Sequence, residues 1–325
     1  MPAYDVIGDV HGSADKLLGL LATLGYDVVD GAHRHPTRTA VFVGDLIDRG
    51  ADQVEVVRLV RAMHGAGSAR VVLGNHEFNA VAWATPRPGS GGDSLRTHRG
   101  PRGAHNRRQH AAYLDQVGEG SELHRDHVAW FRTLPLWLDL GGLRVVHACW
   151  HPASLAVLDK WVTPGAPLSD AFLLAACTRG TEAYEAVDVV LKGPELHLGP
   201  DRAWRDPEGT VRHGARLRWW DDTAVTERSV AMIPSGTLTP DGAPYPPLDD
   251  THSAEADAFR YRDPVTVCFG HYWFTGTPAP AAAHAVCVDY SAARDGYSLV
   301  AYRWDGEERP SADRFVAFPG DRGPA

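Results

Sequence analysis

The sequence is poor in cysteine and has no long hydrophobic run. Cysteine occurs at only four of the 325 positions, Cys149, Cys177, Cys268 and Cys287, and no two of them form a C-x-x-C pair. This spacing argues against a thiolate metal site and favours buried free thiols. The chain also has no basic stretch followed by a long apolar segment, and no run of the length that a membrane helix needs. We therefore expect a soluble, cytoplasmic protein.

An excess of positive charge is missing as well. The 32 Lys and Arg residues are outnumbered by 41 Asp and Glu residues, which gives a formal net charge of -9. General nucleic-acid binders and membrane-surface binders usually carry a basic balance, so we expect neither kind of partner. The sequence does not predict an oligomeric state.

The hydrophobic content of 44% is sufficient for one large core. We find no internal repeat and no obvious linker. Residues 235–257 are dense in Pro, Gly and acids, which is typical of a surface loop or flap. The sequence therefore predicts a single domain over residues 1–325, with excursions at about 84–125 and 225–262 and a frayed C-terminus.

The first ninety residues repeat one pattern, a short apolar strand followed by a polar, glycine-containing cluster. The strands are predicted at 4–7, 39–43 and 69–73, and amphipathic helices are predicted between them. Ser13 is a candidate cap for the first helix, and Gly25 a candidate stop. Strands that alternate with helices form parallel sheets through right-handed crossovers. All three clusters should then lie at the carboxyl edge of one sheet, where open α/β sheets bind ligands.

Two later strands also end in a histidine. Residues 136–140 and 143–146 flank Gly141-Gly142 as a predicted hairpin, and the second strand leads to His147. A strand at 265–269 leads to His271. Further strands are predicted at 285–290 and 298–304.

The strand ends carry oxygen and imidazole donors and no thiolate. The candidate metal ligands are Asp9, His11, Asp45, Asn75, His147 and His271. A mixed carboxylate, amide and imidazole set suits manganese, iron or zinc. Six donors exceed the needs of one tetrahedral site, so two ions that share Asp45 are the natural arrangement. Two ions roughly 3.5–4 Å apart are a common device for hydrolysing phosphate esters.

The order of these motifs resembles the calcineurin-like metallophosphoesterases, and among them the phosphoprotein phosphatase branch. The matching motifs are Gly8-Asp9-Val10-His11-Gly12, Gly44-Asp45-Leu46-Ile47-Asp48-Arg49-Gly50, Gly74-Asn75-His76-Glu77, His147 and Gly270-His271, over residues 5–275. The chain departs from the branch at Leu73, where arginine is common, and at Ala148 and Cys149, where two glycines are common. Bacterial members of the branch tolerate such changes, and the chain is similar to these members, which include diadenosine tetraphosphatases and Ser/Thr phosphatase-like proteins. The resemblance implies an α/β fold, a β-sandwich of mixed sheets flanked by helices.

The resemblance also implies the metal-binding roles. Asp9 and His11 would hold the first ion and Asp45 would bridge, while the second ion would be held by Asn75, His147 and His271. Two divalent ions are implied, manganese first, with iron or zinc as alternatives. The implied nucleophile is a hydroxide that bridges the two ions.

The same resemblance implies the roles of the neighbouring polar residues. His76 would be the general acid, paired with Asp48, and Arg49 would clamp the phosphate. A second clamping arginine is expected from residues 216–218, with Arg218 preferred over Arg216. Glu77 is expected to support the ligands through hydrogen bonds.

The substrate is the least specified part of the prediction. The expected activity is that of a metal-dependent phosphatase acting on a phosphorylated small molecule, nucleotide or phosphoprotein. The alternatives are a dinucleoside polyphosphate hydrolase and a non-catalytic, metal-binding regulatory protein.

Five arginines without an acid among them form either a solvated basic loop or a segment that attracts a polyanionic substrate. These are Arg96, Arg99, Arg102, Arg107 and Arg108. Five tryptophans near the motifs either stack on a base or belong to the core, namely Trp83, Trp150, Trp219, Trp220 and Trp273.

Overall fold

The computed structural model describes residues 2–206 and 209–319. These residues form two compact units, the first made of Met1–Lys192 and Val265–Ala325 and the second of Gly193–Pro264. The predicted excursion at 225–262 lies within the second unit. The expectation of one domain over residues 1–325 stays a prediction.

Short strands and helices make up both units. In chain order the strands are β1 (Ala3–Ile7), β2 (Asp27–Val29), β3 (Ala32–Arg34), β4 (Arg38–Phe42), β5 (Ala69–Val71), β6 (Trp137–Asp139), β7 (Leu143–Val146), β8 (Glu195–His197), β9 (Trp204–Arg205), β10 (Val211–Arg212), β11 (Gly214–Leu217), β12 (Ala231–Met232), β13 (Thr266–Phe269), β14 (Ala285–Cys287), β15 (Leu299–Trp304) and β16 (Phe315–Phe318). The helices are α1 (Ala14–Leu24), α2 (Gln53–Gly65), α3 (Asn75–Ala84), α4 (Gly100–Val117), α5 (Glu122–Phe131), α6 (Pro152–Asp159), α7 (Asp170–Ala176), α8 (Glu182–Lys192), α9 (Glu227–Val230) and α10 (Ala254–Phe259). A 3-10 turn spans Ala312–Arg314. Among the described residues, no helix has both the length and the apolar character needed to cross a membrane.

The first sheet of the first unit has the strand order β16-β15-β1-β4-β5. Strands β1, β4 and β5 are parallel, as the strand–helix alternation predicts. Helix α1 buries Leu17, Leu20 and Leu21 on one face, and Gly25 ends it in the left-handed conformation with φ 90°. The carboxyl ends of the three parallel strands therefore meet at one edge.

The second sheet has the order β14-β13-β7-β6 and contains the predicted hairpin of β6 and β7. Strand β13 lies parallel to both β7 and β14. Its core residues pack against those of the first sheet in one buried cluster. This cluster includes Val6, Val41, Val43 and Val72 from the first sheet region and Val145, Cys268, Val286 and Val288 from the second. The prediction of a sandwich of mixed sheets with flanking helices is confirmed.

Part of the predicted 84–125 excursion is helical, so the loop interpretation is wrong for Arg102, Arg107 and Arg108, which lie in α4, while Arg96 and Arg99 precede the helix. Helix α4 buries His110, Tyr113, Leu114 and Val117 on one face. Its other positions carry exposed arginine and glutamine, which lower the apolar signal on which sequence periodicity depends. The helix ends at Gly118, and α5 follows.

The C-terminal segment is also more ordered than expected. Strand β16 pairs antiparallel with β15, and the ring of Phe318 packs against Gly19 of α1. This pairing replaces the expected fraying at Phe315–Phe318. Residues 320–325, which the same expectation covers, lie outside the described residues.

The second unit contains a small antiparallel sheet with the order β12-β11-β8 and the two-stranded pair β9 and β10. Leu196, Leu217 and Val230 belong to its own core. Arg216 lies in β11 beside the buried Leu217, and the exposed Arg218 follows the end of the strand. Of the two candidate clamps, Arg218 is therefore the more exposed.

Candidate active site

The ends of five strands bring the predicted ligands into one cluster within the first unit. Asp9 and His11 follow β1, Asp45 follows β4, Asn75 begins α3 after β5, His147 follows β7 and His271 follows β13. All six side chains are buried or nearly so. We call these six residues the strand-end site. Residues up to 262 positions apart meet there because two sheets contribute their strand ends to the same place.

Asp45 lies between two groups of donor atoms that could each hold an ion. His11, Asp45 and His76 form one group, and Asp45, His147 and His271 form the other, with the donor atoms of each group within 4.8 Å of one another. Asp45 Oδ2 lies 3.6 Å from His11 Nε2, and Asp45 Oδ1 lies 3.4 Å from His147 Nε2. One carboxylate oxygen thus faces each group, which suits a ligand that bridges two ions.

The imidazole orientations are set by backbone carbonyls. His11 Nδ1 donates to the Ile47 carbonyl and His147 Nδ1 to the Val43 carbonyl, both at 2.8 Å. Because a carbonyl can only accept, each ring carries a proton on Nδ1, and its Nε2 has a lone pair for a cation whenever the ring is neutral. Each Nε2 therefore presents a ligand atom towards Asp45.

Asp9 and Asn75 complete the donor set. Asp9 Oδ2 accepts a hydrogen bond from the backbone N–H of His271 at 3.1 Å, and Asn75 Oδ1 lies 3.0 Å from His147 Nε2. Asp9 Oδ1 and His11 Nε2 are buried without a hydrogen-bond partner. Buried polar atoms are costly when unpaired, and a divalent cation would satisfy both. The donors present therefore fit a metal site.

The pKa values of Asp9 and His11 also fit a metal site. Burial, together with the charges of Asp289 and Asp45, raises the pKa of Asp9 well above its ordinary value. Burial lowers the pKa of His11 to about 3. The imidazole of His11 is therefore neutral, as a ligand must be, and a bound cation would stabilise the ionised form of Asp9 against its acidic neighbours.

Close backbone approaches hold the loops of the site. Five site residues have a positive φ, which few non-glycine residues adopt: His11, Asp45, Asp48, Arg49 and His271. A Cβ atom on Gly74 would lie 2.2 Å from the backbone nitrogen of Asp45, and one on Gly270 would lie 2.0 Å from Asp9 Oδ1. Glycine is required at both positions because the ligands occupy the space of a side chain.

Glu77 ties the third motif to the second. Its carboxylate accepts backbone N–H groups of Asp45 at 2.9 Å, Leu46 at 2.8 Å and Gly74 at 3.0 Å. These bonds hold the loop that carries Asp45 against the start of α3. They are the kind of supporting contacts expected of this residue.

His76 and Asp48 form a close pair next to the first donor group. His76 Nδ1 lies 2.5 Å from Asp48 Oδ2, while His76 Nε2 lies 3.8 Å from Asp45 Oδ2. Burial alone would lower the pKa of His76, but the carboxylates of Asp45 and Asp48 outweigh it and raise that pKa. Burial opposes ionisation of Asp48, but hydrogen bonds from His110 and His76 lower its pKa. A protonated imidazole with Nε2 directed at the donor group is thereby favoured.

Two residues of this site were not predicted from the sequence. His110 Nδ1 lies 2.8 Å from Asp48 Oδ1, so Asp48 has an imidazole on each oxygen. Asp289 is buried, accepts N–H groups of Trp273 and Ser291, and raises the pKa of Asp9. Asp289 comes just after β14, so its position at a strand end was a usable signal. His110, inside an arginine-rich helix, carried no such signal.

The tryptophans divide between core and site. Trp83, Trp150, Trp219 and Trp220 are all buried, which confirms the core interpretation for these four. Trp273 is partly exposed, and the guanidinium of Arg49 lies over its ring at 4.4 Å from the centroid. This contact positions Arg49, the predicted phosphate clamp, on a rigid aromatic surface.

Comparison with known proteins gives the same assignment as the motifs. Residues 4–272 match the calcineurin-like phosphoesterase family. An asymmetrical bis(5'-nucleosyl)-tetraphosphatase of Bacillus velezensis is 35% identical over 151 residues, which are 45% of this chain and 56% of that protein. A symmetrical bis(5'-nucleosyl)-tetraphosphatase of Aromatoleum aromaticum is 28% identical over 246 residues, 74% of this chain and 69% of that protein. The chain thus spans little more than half the length of the Bacillus relative.

A solved structure supports the fold. A protein serine/threonine phosphatase from Saccharomyces cerevisiae, described as similar to human phosphatase PP5, superposes with a TM-score of 0.51 at 14% identity. The superposition covers 99% of this chain and 81% of that one. With the family match spanning most of its length, the chain belongs to the calcineurin-like phosphoesterase family.

Proposed function

We propose that the protein is a metal-dependent hydrolase of phosphate esters that uses two divalent ions. The observation that carries this proposal is the position of Asp45 between two ion-sized groups of donor atoms, with His76 and Asp48 beside one of them. Asp9, His11 and Asp45 would hold one ion, and Asp45, Asn75, His147 and His271 the other. The oxygen and imidazole donors suit manganese, with iron or zinc as alternatives.

The ions, when bound, would activate water as the nucleophile and polarise the phosphoryl oxygens. The chain itself supplies the remaining functions. Arg49, held on Trp273, would bind the phosphate with two parallel hydrogen bonds. His76 would donate the proton on Nε2 to the departing oxygen, because Asp48 fixes its Nδ1 and favours the protonated ring.

A second candidate narrows the substrate to dinucleoside polyphosphates. The relatives from Bacillus velezensis and Aromatoleum aromaticum are named as tetraphosphatases of this kind. Phosphoproteins and phosphorylated small molecules remain alternatives. A non-catalytic metal-binding protein would not need an oriented acid, and the His76–Asp48 pair counts against that reading.

The test is a substrate screen of manganese-loaded protein with metal analysis on the same sample. An aryl phosphate, a phosphopeptide, a dinucleoside tetraphosphate and a phosphodiester would be compared, each before and after chelation. We expect about two ions per chain and chelator-sensitive hydrolysis of at least one phosphate ester. Two bound ions without hydrolysis of any substrate would favour the non-catalytic alternative, and no bound metal would refute the two-ion site.

A further inference from the structure

A cavity of about 330 Å³ lies next to Asn75 of the strand-end site. Helices α3, α4 and α8 and the segment 87–97, all in the first unit, contribute to its wall. Phe78, Leu95 and Tyr184 supply apolar surface. The volume is within the roughly 300–1,000 Å³ that small-molecule sites occupy.

Basic side chains dominate the charged part of this wall, so we call it the basic cavity. The cationic residues are Arg87, Arg96, Arg102, Arg179 and Lys192, against one acid, Asp188. Lys192 is paired with Asp188 one helical turn away. Within the described residues, none of the four arginines forms an ion pair with a carboxylate. The net positive charge is unusual in a chain of net charge -9, and an anion in the cavity would compensate it.

Two of these arginines are held in place rather than extended into solvent. Arg87 Nη2 donates to the carbonyls of Leu95 at 3.0 Å and Cys177 at 3.1 Å. Arg96 Nη2 donates to Gln109 at 2.8 Å, while its Nε is buried without a hydrogen-bond partner. Burial lowers the pKa of Arg96 to about 10. A partly buried guanidinium with an unsatisfied Nε is costly, and the charge of an anion in the cavity would offset that cost.

The cavity also lies near the acid pair. The carboxylate of Asp48 acts on the charge of Arg96 and opposes the lowering of its pKa. Asn75, a predicted metal ligand, forms part of the cavity wall. A ligand in the cavity would therefore be adjacent to a phosphate at the strand-end site.

The other arginines between residues 96 and 108 have different partners. Arg99 donates to the carbonyls of Ser90 and Gly91, and Arg107 pairs with Glu119. Neither of them lines the cavity, and neither does Arg108. The fold thus separates five arginines that look equivalent in sequence into a cavity pair, Arg96 and Arg102, and an outer set.

We propose that the basic cavity is a second anion subsite, which holds a phosphate group that the substrate carries beyond the one being hydrolysed. The proposal rests on the proposed function, because the scissile phosphate must lie at the strand-end site for its neighbour to reach Arg96 and Arg102. The subsite selects substrates with two or more phosphates over singly phosphorylated esters. Binding of an additional phosphate in the basic cavity lowers KM for the longer substrate and does not affect KM for a singly phosphorylated ester.

The kinetic test compares two double variants with the same loss of charge. Arg96→Gln with Arg102→Gln changes the cavity, and Arg107→Gln with Arg108→Gln is the matched control. We expect kcat/KM for a dinucleoside tetraphosphate, divided by kcat/KM for an aryl phosphate, to fall about tenfold or more in the cavity variant. The control should change this ratio by less than about twofold, since exposed charges are largely screened. Arg102→Gln alone, at an exposed position, should show part of the same effect if Arg96→Gln disturbs folding.

Calorimetry on the manganese-loaded protein, freed of excess metal, tests the subsite without turnover. Tripolyphosphate should bind the cavity variant at least about tenfold more weakly than the control variant. A titration with orthophosphate tests whether the cavity is instead a site for free phosphate. In that case the cavity variant would lose affinity for orthophosphate by the same factor as for tripolyphosphate. Equal tripolyphosphate affinity in the two variants, or an unchanged kinetic ratio, would overturn the proposal. If no ester is hydrolysed at all, the proposed function is wrong. The tripolyphosphate affinities of the two variants still test the anion subsite in that case.

Discussion

The strand-end site and the basic cavity lie side by side but are built in opposite ways. In the strand-end site, buried carboxylates and imidazoles follow the ends of parallel strands, and backbone N–H and carbonyl groups fix their orientation. In the basic cavity, arginines from helices and loops are held by carbonyls and an amide side chain. Sheet topology thus positions the groups that attract cations, and helix packing positions those that attract anions.

This difference suggests a division of labour between chemistry and selectivity. A metal site tolerates little displacement of its ligands, which suits the rigid ends of paired strands. A subsite for a flexible phosphate chain tolerates more, which suits long side chains on helices. Asp48 is electrostatically linked to both regions, because it pairs with His76 beside the strand-end site and acts on the charge of Arg96 in the basic cavity.

The largest expected effect comes from removing the shared ligand. Asp45→Asn keeps the shape and the left-handed backbone, which Asn tolerates, but takes away the charge that serves both donor groups. We expect loss of both ions and a fall in turnover beyond the roughly 100-fold that changes to supporting residues can cause. Metal analysis and kcat on one preparation are the measurements. Retention of two ions would contradict the bridging role of Asp45.

The next effect separates the acid from the ligands. His76→Ala should reduce kcat on the order of 100-fold or more while the metal content stays at the wild-type value. Asn75→Ala and His147→Ala serve as comparisons, since they should lose metal together with activity. His76 lies within 4.8 Å of the other donors of its group, so an emptied site in His76→Ala would identify it as a ligand instead.

A smaller effect concerns the pH dependence at the junction of the two regions. The raised pKa of His76 keeps the ring protonated to higher pH, so activity should fall on the alkaline side as that proton is lost. Asp48→Asn removes a carboxylate that favours the protonated ring. The alkaline limb of the kcat profile should therefore move to lower pH. An alkaline limb that stays in place would show that another group supplies the proton.

The smallest expected effect tests the second clamp. Arg218→Gln should raise KM about tenfold or less for an aryl phosphate and for a dinucleoside tetraphosphate alike, since it would contact the phosphate being hydrolysed. Arg216→Gln, in the strand, is the matched control with a smaller expected change. Unchanged KM values in Arg218→Gln for both substrates would contradict its role as the second clamp.

The sequence by itself predicted where Asp9, His11, Asp45 and Asn75 would meet, whereas His147 and His271 reach the same place because the second sheet packs against the first. Each of these four predicted ligands lies within four residues of the end of an apolar strand, and parallel strands linked by helices must place their carboxyl ends at one edge. The resemblance to the family then identified the roles of His76, Asp48 and Arg49, which spacing alone left open. The structure places these side chains together, and their catalytic roles stay predictions.

Only the tertiary structure decided which distant side chains meet. His110 reaches Asp48 across 62 positions, and α8 contributes to the same cavity wall as Arg96. Strand β16 extends the first sheet at a place where composition suggested fraying. These contacts depend on how helices and sheets pack, which has no local signature, because an exposed arginine and a cavity-lining arginine have the same propensities along the chain.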